Sequence, residues 1–132
     1  MEAGKRSPIV GAIADAERLT TGEIRVHLSR SWLERDAFLR AQKLFREFGM
    51  ARTPQHDSIL LYLNLRSRRF AIIADEGIHQ AVGQQYWERL ARHLREDLLS
   101  THPENAVAMA VRTLGITLQK YYPASLDKYP IQ

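Results

Sequence analysis

Five consecutive apolar residues, Ile59-Leu60-Leu61-Tyr62-Leu63, bounded by polar loops, constrain this chain more than any other feature. A short run of this kind implies a strand covered on both faces. A second buried run, Phe70-Ala71-Ile72-Ile73-Ala74, follows the polar break Arg66-Ser67-Arg68. That break is too short for a crossover, so the two strands form an antiparallel hairpin. Upstream, Glu23 to Leu28 alternates strictly, with Ile24, Val26 and Leu28 on one side and Glu23, Arg25 and His27 on the other. This is a strand with one wetter face, near a sheet edge. A full helix separates Leu28 from Ile59, which makes a βαβ unit with parallel strands and a right-handed connection.

The helices are legible from their periods and ends. Ser7-Pro8 opens the first, Ile9, Ala12, Ile13, Ala16 and Leu19 mark its apolar side, and Thr20-Thr21-Gly22 closes it. Ser31 to Glu34 matches a capping box and is expected to start a second helix carrying Phe38, Ala41, Leu44, Phe45 and Phe48, stopped by Gly49. Met50 to Asp57 is expected to be a loop. Ile78 to Leu98 has the spacing of one helix, and Thr101 to Glu104, a second capping-box match, is expected to begin the last, which ends at Pro123. Gly83 and Gly115, inside helical patterns, are expected to permit close packing, since glycine there costs roughly 1 kcal/mol against alanine. The order is α-β-α-β-β-α-α, an α/β chain with a small mixed sheet. One domain is expected over residues 1–132, ordered over about 7–123, with 124–132 as a tail.

Composition bounds the chemistry. The 132 residues include no Cys, which removes disulfides, thiolate metal sites and cysteine nucleophiles. The net charge is +4, with 15 Arg against 4 Lys, but the arginines are interleaved with Glu and Asp and are not gathered on one face. Solvated helix faces account for them, so no specific nucleic-acid partner is expected, and weak nucleic-acid binding is the last-ranked alternative. No apolar run approaches the ~20 residues of a membrane span. Met1 to Arg6 leads into no continuous apolar core, so no signal peptide is expected and a cytoplasmic or membrane-associated location is.

Connectivity points to a site. Parallel first and second strands with an antiparallel third bring Glu23, Asp57 and Asp75 to one sheet edge, beside the turn Thr20-Thr21-Gly22 and the start of the helix after Glu76-Gly77. Ca²⁺ takes six to eight oxygens, of which Asp57, Asp75 and backbone carbonyls supply part. Mg²⁺ with a phosphate is the other option, Arg52 acting as anion clamp. The simpler reading makes Asp57 and Asp75 turn residues bonding their own backbone. Of the five histidines, His56 and His79 fall near this edge; none has an HExxH spacing, and no Walker, GxGxxG or GxSxG motif occurs. Trp32, Trp87, Tyr86, Tyr121 and Tyr122 are too dispersed for a stacking platform.

Ala16-Glu17-Arg18-Leu19-Thr20-Thr21-Gly22-Glu23-Ile24-Arg25-Val26, then Asp57 to Leu63, then Arg69 to Ile78 form an ordered set. They resemble, in turn, the opening signature, the second strand, and the following strand and glycine turn of the TPM domain family. Val82-Gly83-Gln84-Gln85-Tyr86-Trp87 fits short bacterial members. The resemblance implies a three-layer α/β/α sandwich. It also implies plant thylakoid-lumen relatives described as acid phosphatases linked to photosystem repair, and members that bind calcium at acidic loops. The residues carried over are Glu23, Asp57 and Asp75 as metal ligands, with Gly22 and Gly77 shaping turns. The loop Arg52 to Asp57 lacks the longer members' acidic run, and His79 stands where many carry Glu, so oxygen ligands are missing. The expected function is therefore a non-catalytic protein-binding or accessory module, membrane-associated or acting on partly unfolded clients. The alternative is a metal-assisted acid phosphatase using Ca²⁺ or Mg²⁺ at the acidic edge.

Overall fold

The structure, a computed structural model, describes residues 7–124; the tail expected beyond residue 124 lies outside the described residues. Its elements run α1 (Pro8–Leu19), β1 (Glu23–Ser29), α2 (Ala37–Glu47), a 3-10 turn (Met50–Arg52), β2 (Ser58–Asn64), β3 (Phe70–Ala74), α3 (Glu76–Val82), α4 (Gln84–Ser100) and α5 (Pro103–Tyr121). The sheet order is β1-β2-β3. β1 runs parallel to β2, pairing Glu23 with Ser58 through to Ser29 with Asn64. β3 is antiparallel to β2, from Ile59 opposite Ala74 to Leu63 opposite Phe70.

All seven residues of β2 are buried, as its unbroken apolar run requires. Ile59, Leu61 and Leu63, with Ile24 of β1, face a layer built from α1, α4 and α5, where Ile9, Ala12, Ala16, Val107, Val111, Leu114 and Leu118 pack. Leu60 and Tyr62, with Ala71 of β3, face α2 through Ala37, Ala41, Leu44 and Phe45, and Met50 fills the end of that layer. The result is the three-layer sandwich. α1 and α5 approach closely because position 115 has no side chain: a Cβ there would lie 2.6 Å from the Ala16 Cβ.

Three helix boundaries differ from the sequence expectation. α2 starts at Ala37 and is capped by Asp36, whose carboxylate accepts the Leu39 N–H at 3.1 Å. The capping box at Ser31 does not form because Glu34 is taken by the Tyr62 hydroxyl and by Asn64 Nδ2 at 3.3 Å. The helix expected over Ile78 to Leu98 is two helices, α3 and α4, broken at Gly83 with φ +81°. A Cβ at Gly83 would meet nothing, so this glycine serves the left-handed backbone and not close packing. α5 is capped by His102, whose Nδ1 accepts the Glu104 N–H at 3.3 Å, while Thr101 ends α4.

His27 lies under α2, stacked on Tyr62 at 5.8 Å and beside Phe48 at 6.0 Å. Burial, helped by the charge of Arg40, holds its pKa below the usual 6.5. The unfolded chain therefore takes up this proton first. The contribution of neutral His27 to stability is full above 6.5 and is lost as pH falls below that value. Urea midpoints measured between about pH 8 and about pH 5 should fall with acidification, and His27→Phe should remove part of that slope. Gly115→Ala should lower stability by about 1–3 kcal/mol, less up to about 1 kcal/mol of gained helix propensity. A urea midpoint at or above that of the parent would show that the α1–α5 contact is looser than the geometry indicates.

Candidate functional site

The amino-terminal ends of β1 and β2 and the carboxy-terminal end of β3 meet at one edge, centred on Ser58. Its hydroxyl donates to Glu23 Oε1 at 3.3 Å, and its carbonyl accepts the Asp75 N–H at 2.9 Å. Glu23, Asp57 and Asp75 are therefore neighbours along the edge, but the carboxylates of Glu23 and Asp75 are held by different partners. Asp75 caps α3, accepting the Glu76 N–H at 2.8 Å, and its second oxygen pairs with His56 Nδ1 at 3.0 Å. Glu23 Oε2 lies 4.0 Å from Arg25. Asp57 is buried, its N–H donating to Thr53 Oγ1 at 3.4 Å. Burial, and secondarily the Asp57 charge, raises the pKa of the nearby Tyr122 phenol.

Among the described residues no three His, Asp or Glu side chains are arranged to hold a metal ion. The donor set as built does not fit a Ca²⁺ shell of six to eight oxygens or an Mg²⁺ octahedron. Arg52 sits in the exposed 3-10 turn with its side chain over Gly49 and joins none of the hydrogen bonds or ion pairs at the edge. His79 turns away from the edge: its Nδ1 accepts the Trp87 indole N–H at 3.0 Å.

The edge is instead tightly closed. Thr20, fully buried, sets its hydroxyl against the carbonyls of Leu118 and Tyr122 and accepts the Gly22 N–H at 3.0 Å. Thr20 bridges to Pro123, and the Thr21 N–H donates to the Tyr122 carbonyl at 3.1 Å. His56, at φ +52°, offers its carbonyl to the Ile78 N–H at 3.1 Å. A Cβ at Gly22 would lie 2.9 Å from Leu118 and 3.2 Å from the Asp57 carbonyl. Both glycines carried over by resemblance are thus contact points for backbone. The turn Thr20-Thr21-Gly22 was expected at this edge, but the parts played by Gln55 and Tyr122 escaped the sequence reading because no spacing links residue 20 to residue 122.

A second feature lies at the opposite side of the sheet. β3 is an edge strand, and its sequence Phe70-Ala71-Ile72-Ile73-Ala74 contains no charge and no proline. Arg69 and Asp75 bond to β2, so by alternation Phe70, Ile72 and Ala74 aim their N–H and C=O groups away from it. Two adjoining hollows of 280 and 330 Å³ run along this free edge. Phe38 and Gln42 of α2 form one wall, and Gln84, Trp87 and Ala91 of α4 the other. Phe38 is 53% exposed although it belongs to the apolar side of α2.

A substitution at Gly77 tests how rigid the loop edge is. A Cβ there would stand 2.3 Å from the Gln55 carbonyl and 2.7 Å from the His56 carbonyl, neither of which can swing aside. Gly77→Ala should cost about 1–3 kcal/mol or more and speed exchange of the Ile78 amide, read by hydrogen exchange. Unchanged protection of Ile78 would show that the loop yields freely.

The chain's relatives agree with this architecture. The NMR structure of the BA42 protein from the psychrophilic bacterium Bizionia argentinensis is 31% identical and superposes with a TM-score of 0.84, over 96% of this chain and 87% of that one. The solution NMR structure of the N-terminal domain of a P. gingivalis protein shares the fold at 18% identity and a TM-score of 0.70, over 85% of this chain and 72% of that one. No curated protein matches the chain. The TPM domain description matches residues 1–116, and with this fold behind it the chain belongs to the TPM domain family.

Proposed function

We propose that this domain is a protein-binding module that takes an extended peptide segment along the free edge of β3. The observation that carries this reading is a strand edge free of charge and proline, unpaired among the described residues, that floors a groove with Phe38, Trp87 and Ala91 at its apolar points and Glu88 and Arg95 at its end. Natural sheets blunt such edges with charge, proline or a covering element, because an open edge templates pairing with another chain. β1, the other edge strand, carries Glu23, Arg25 and His27 on its wetter side. β3 carries no such guard.

Strand addition uses main-chain bonds for affinity and side-chain pockets for selection. Phe70, Ile72 and Ala74 would supply the bonds, and the hollows beside Phe38 and Trp87 would take alternate apolar side chains. The wall residues are half-buried or exposed and gain apolar contact on binding. A client presenting a short β-prone segment, as a partly unfolded protein does, suits this groove.

The other reading, phosphoester hydrolysis with a divalent cation at Glu23, Asp57 and Asp75, is supported by their gathering at one edge. The separate bonds of Glu23 and Asp75 weigh against it, and unchanged phosphoester turnover in Asp75→Asn would remove it.

Peptides selected from a displayed library should shift the amides of Phe70 to Ala74 and protect those of Phe70, Ile72 and Ala74 from exchange. Ile72→Pro removes one outward donor without touching the β2 ladder, which an edge strand tolerates. It should weaken binding about tenfold. Selected peptides that shift only other surfaces, or bind Ile72→Pro equally well, would defeat the proposal.

A further inference from the structure

The end of the sheet opposite the acidic loop edge carries a tip that the peptide groove does not use. In the loop between β1 and α2, Trp32 is 79% exposed and Leu33 is 88% exposed. Exposed apolar side chains are common singly; a Trp-Leu pair at a loop apex is a patch that asks for a partner. Both side chains stand out because the backbone beneath them is pinned. Buried Asn64 donates to the Ser31 carbonyl at 3.0 Å and accepts the Arg66 and Ser67 N–H groups at 2.9 and 3.2 Å. Arg66 Nε donates to the Arg30 carbonyl at 2.6 Å, and its guanidinium lies 3.9 Å over the Trp32 ring. Arg69 donates to the Arg35 carbonyl at 2.9 Å. The β1–α2 loop and the β2–β3 turn thus form one preorganised unit.

Arginine dominates the charge around this unit. Arg30, Arg35, Arg66, Arg68 and Arg69 are all exposed. The two acids in the same loops are turned to internal work, Glu34 to Tyr62 and Asn64, Asp36 to the α2 N-terminus. Glu104 lies beside Arg30 and Arg68 in an adjoining hollow. Another hollow, of 610 Å³, opens next to the tip; Arg35, Asp36, Arg68 and Arg69 line its near side, and it shares Phe38, Phe70 and Arg95 with the peptide groove.

We propose that this tip docks on an anionic lipid surface, with Trp32 and Leu33 entering the headgroup layer and the surrounding arginines meeting lipid phosphates. Trp is suited to that boundary because its ring is apolar and its N–H is polar. Guanidinium groups bind phosphate through a planar fork. Stable surface binding takes two signals, an inserted apolar group and electrostatic attraction, and this tip supplies both. An apex has no concavity for a peptide, and one Trp-Leu pair is small for a protein interface, which needs about 800 Å² per partner.

The test is cosedimentation of the full chain with phosphatidylcholine vesicles, with and without phosphatidylserine, at low and high salt. Binding should need phosphatidylserine and weaken with salt. In a Trp87→Phe background, the emission of Trp32 should shift to the blue on vesicle addition. The double variant Trp32→Ser, Leu33→Ser removes only exposed side chains and should reduce partitioning by about tenfold or more. Neutralising Arg30 and Arg68 to Gln should reduce it by about tenfold. Three results would overturn the proposal: no partitioning at low salt, equal partitioning of the serine double variant, or a dimer that this variant dissociates, which would assign the tip to a second copy. None of them bears on the peptide groove, whose readout is Ile72→Pro.

Discussion

Everything in this fold follows from the burial of β2. A strand that is apolar or internally bonded along its whole length has no face to give to water, so it must lie at the sheet centre with a helical layer on each side. That demand fixes the work of the other elements. α2 covers one face nearly alone, and α1, α4 and α5 share the other. The polar ends of β2 are buried too, and both are turned to account. Ser58 ties β1 to β3 at one end, and Asn64 ties the two tip loops together at the other.

The two ends of the central strand differ in character for that reason. At the Ser58 end the chain's late residues return: the Thr20–Pro123 bridge, the contacts of Thr20 with Tyr122, and the close approach of Gly77 to the 55–56 backbone make a dense closure. Glu23 and Asp75 there are taken up by hydrogen bonding and capping. At the Asn64 end the same economy of hydrogen bonds holds Trp32 and Leu33 outward among arginines. Among the described residues, the groups left turned outward therefore lie along the outer side of β3 and at the arginine-rich tip.

Much of the architecture was legible in the residues. Consecutive apolar positions announced β2 and β3, the alternation from Glu23 to Leu28 announced an edge strand, and the six residues between Leu63 and Phe70 admitted only a hairpin. Close packing at Gly115 was also expected, since a glycine within a helical pattern needs a packing reason, though not that α1 is the partner. The missed boundaries share one cause. Ser31 with Glu34, and Thr101 with Glu104, satisfy a local capping rule, but Glu34 finds a better acceptor role against Tyr62, and His102 reaches the α5 amide first. Gly83 looked like a packing glycine because φ is not written in the sequence. His79 sat at the right distance from Asp75 for the edge but on a helix face that turns it to Trp87.

By itself, the sequence determined which segments are strands and helices, how the strands connect, and that Glu23, Asp57 and Asp75 share an edge, because periodicity and connection length are local properties. Asp75 bonds the adjacent Glu76 N–H, as the turn reading had it, but only the tertiary structure decided that Glu23 meets Ser58, since a hydrogen bond between residues 35 positions apart leaves no trace in spacing. It alone decided, too, that β3 keeps one side open and that Trp32 stands in water: an edge is free, and a side chain exposed, only with respect to everything else the chain has placed around it.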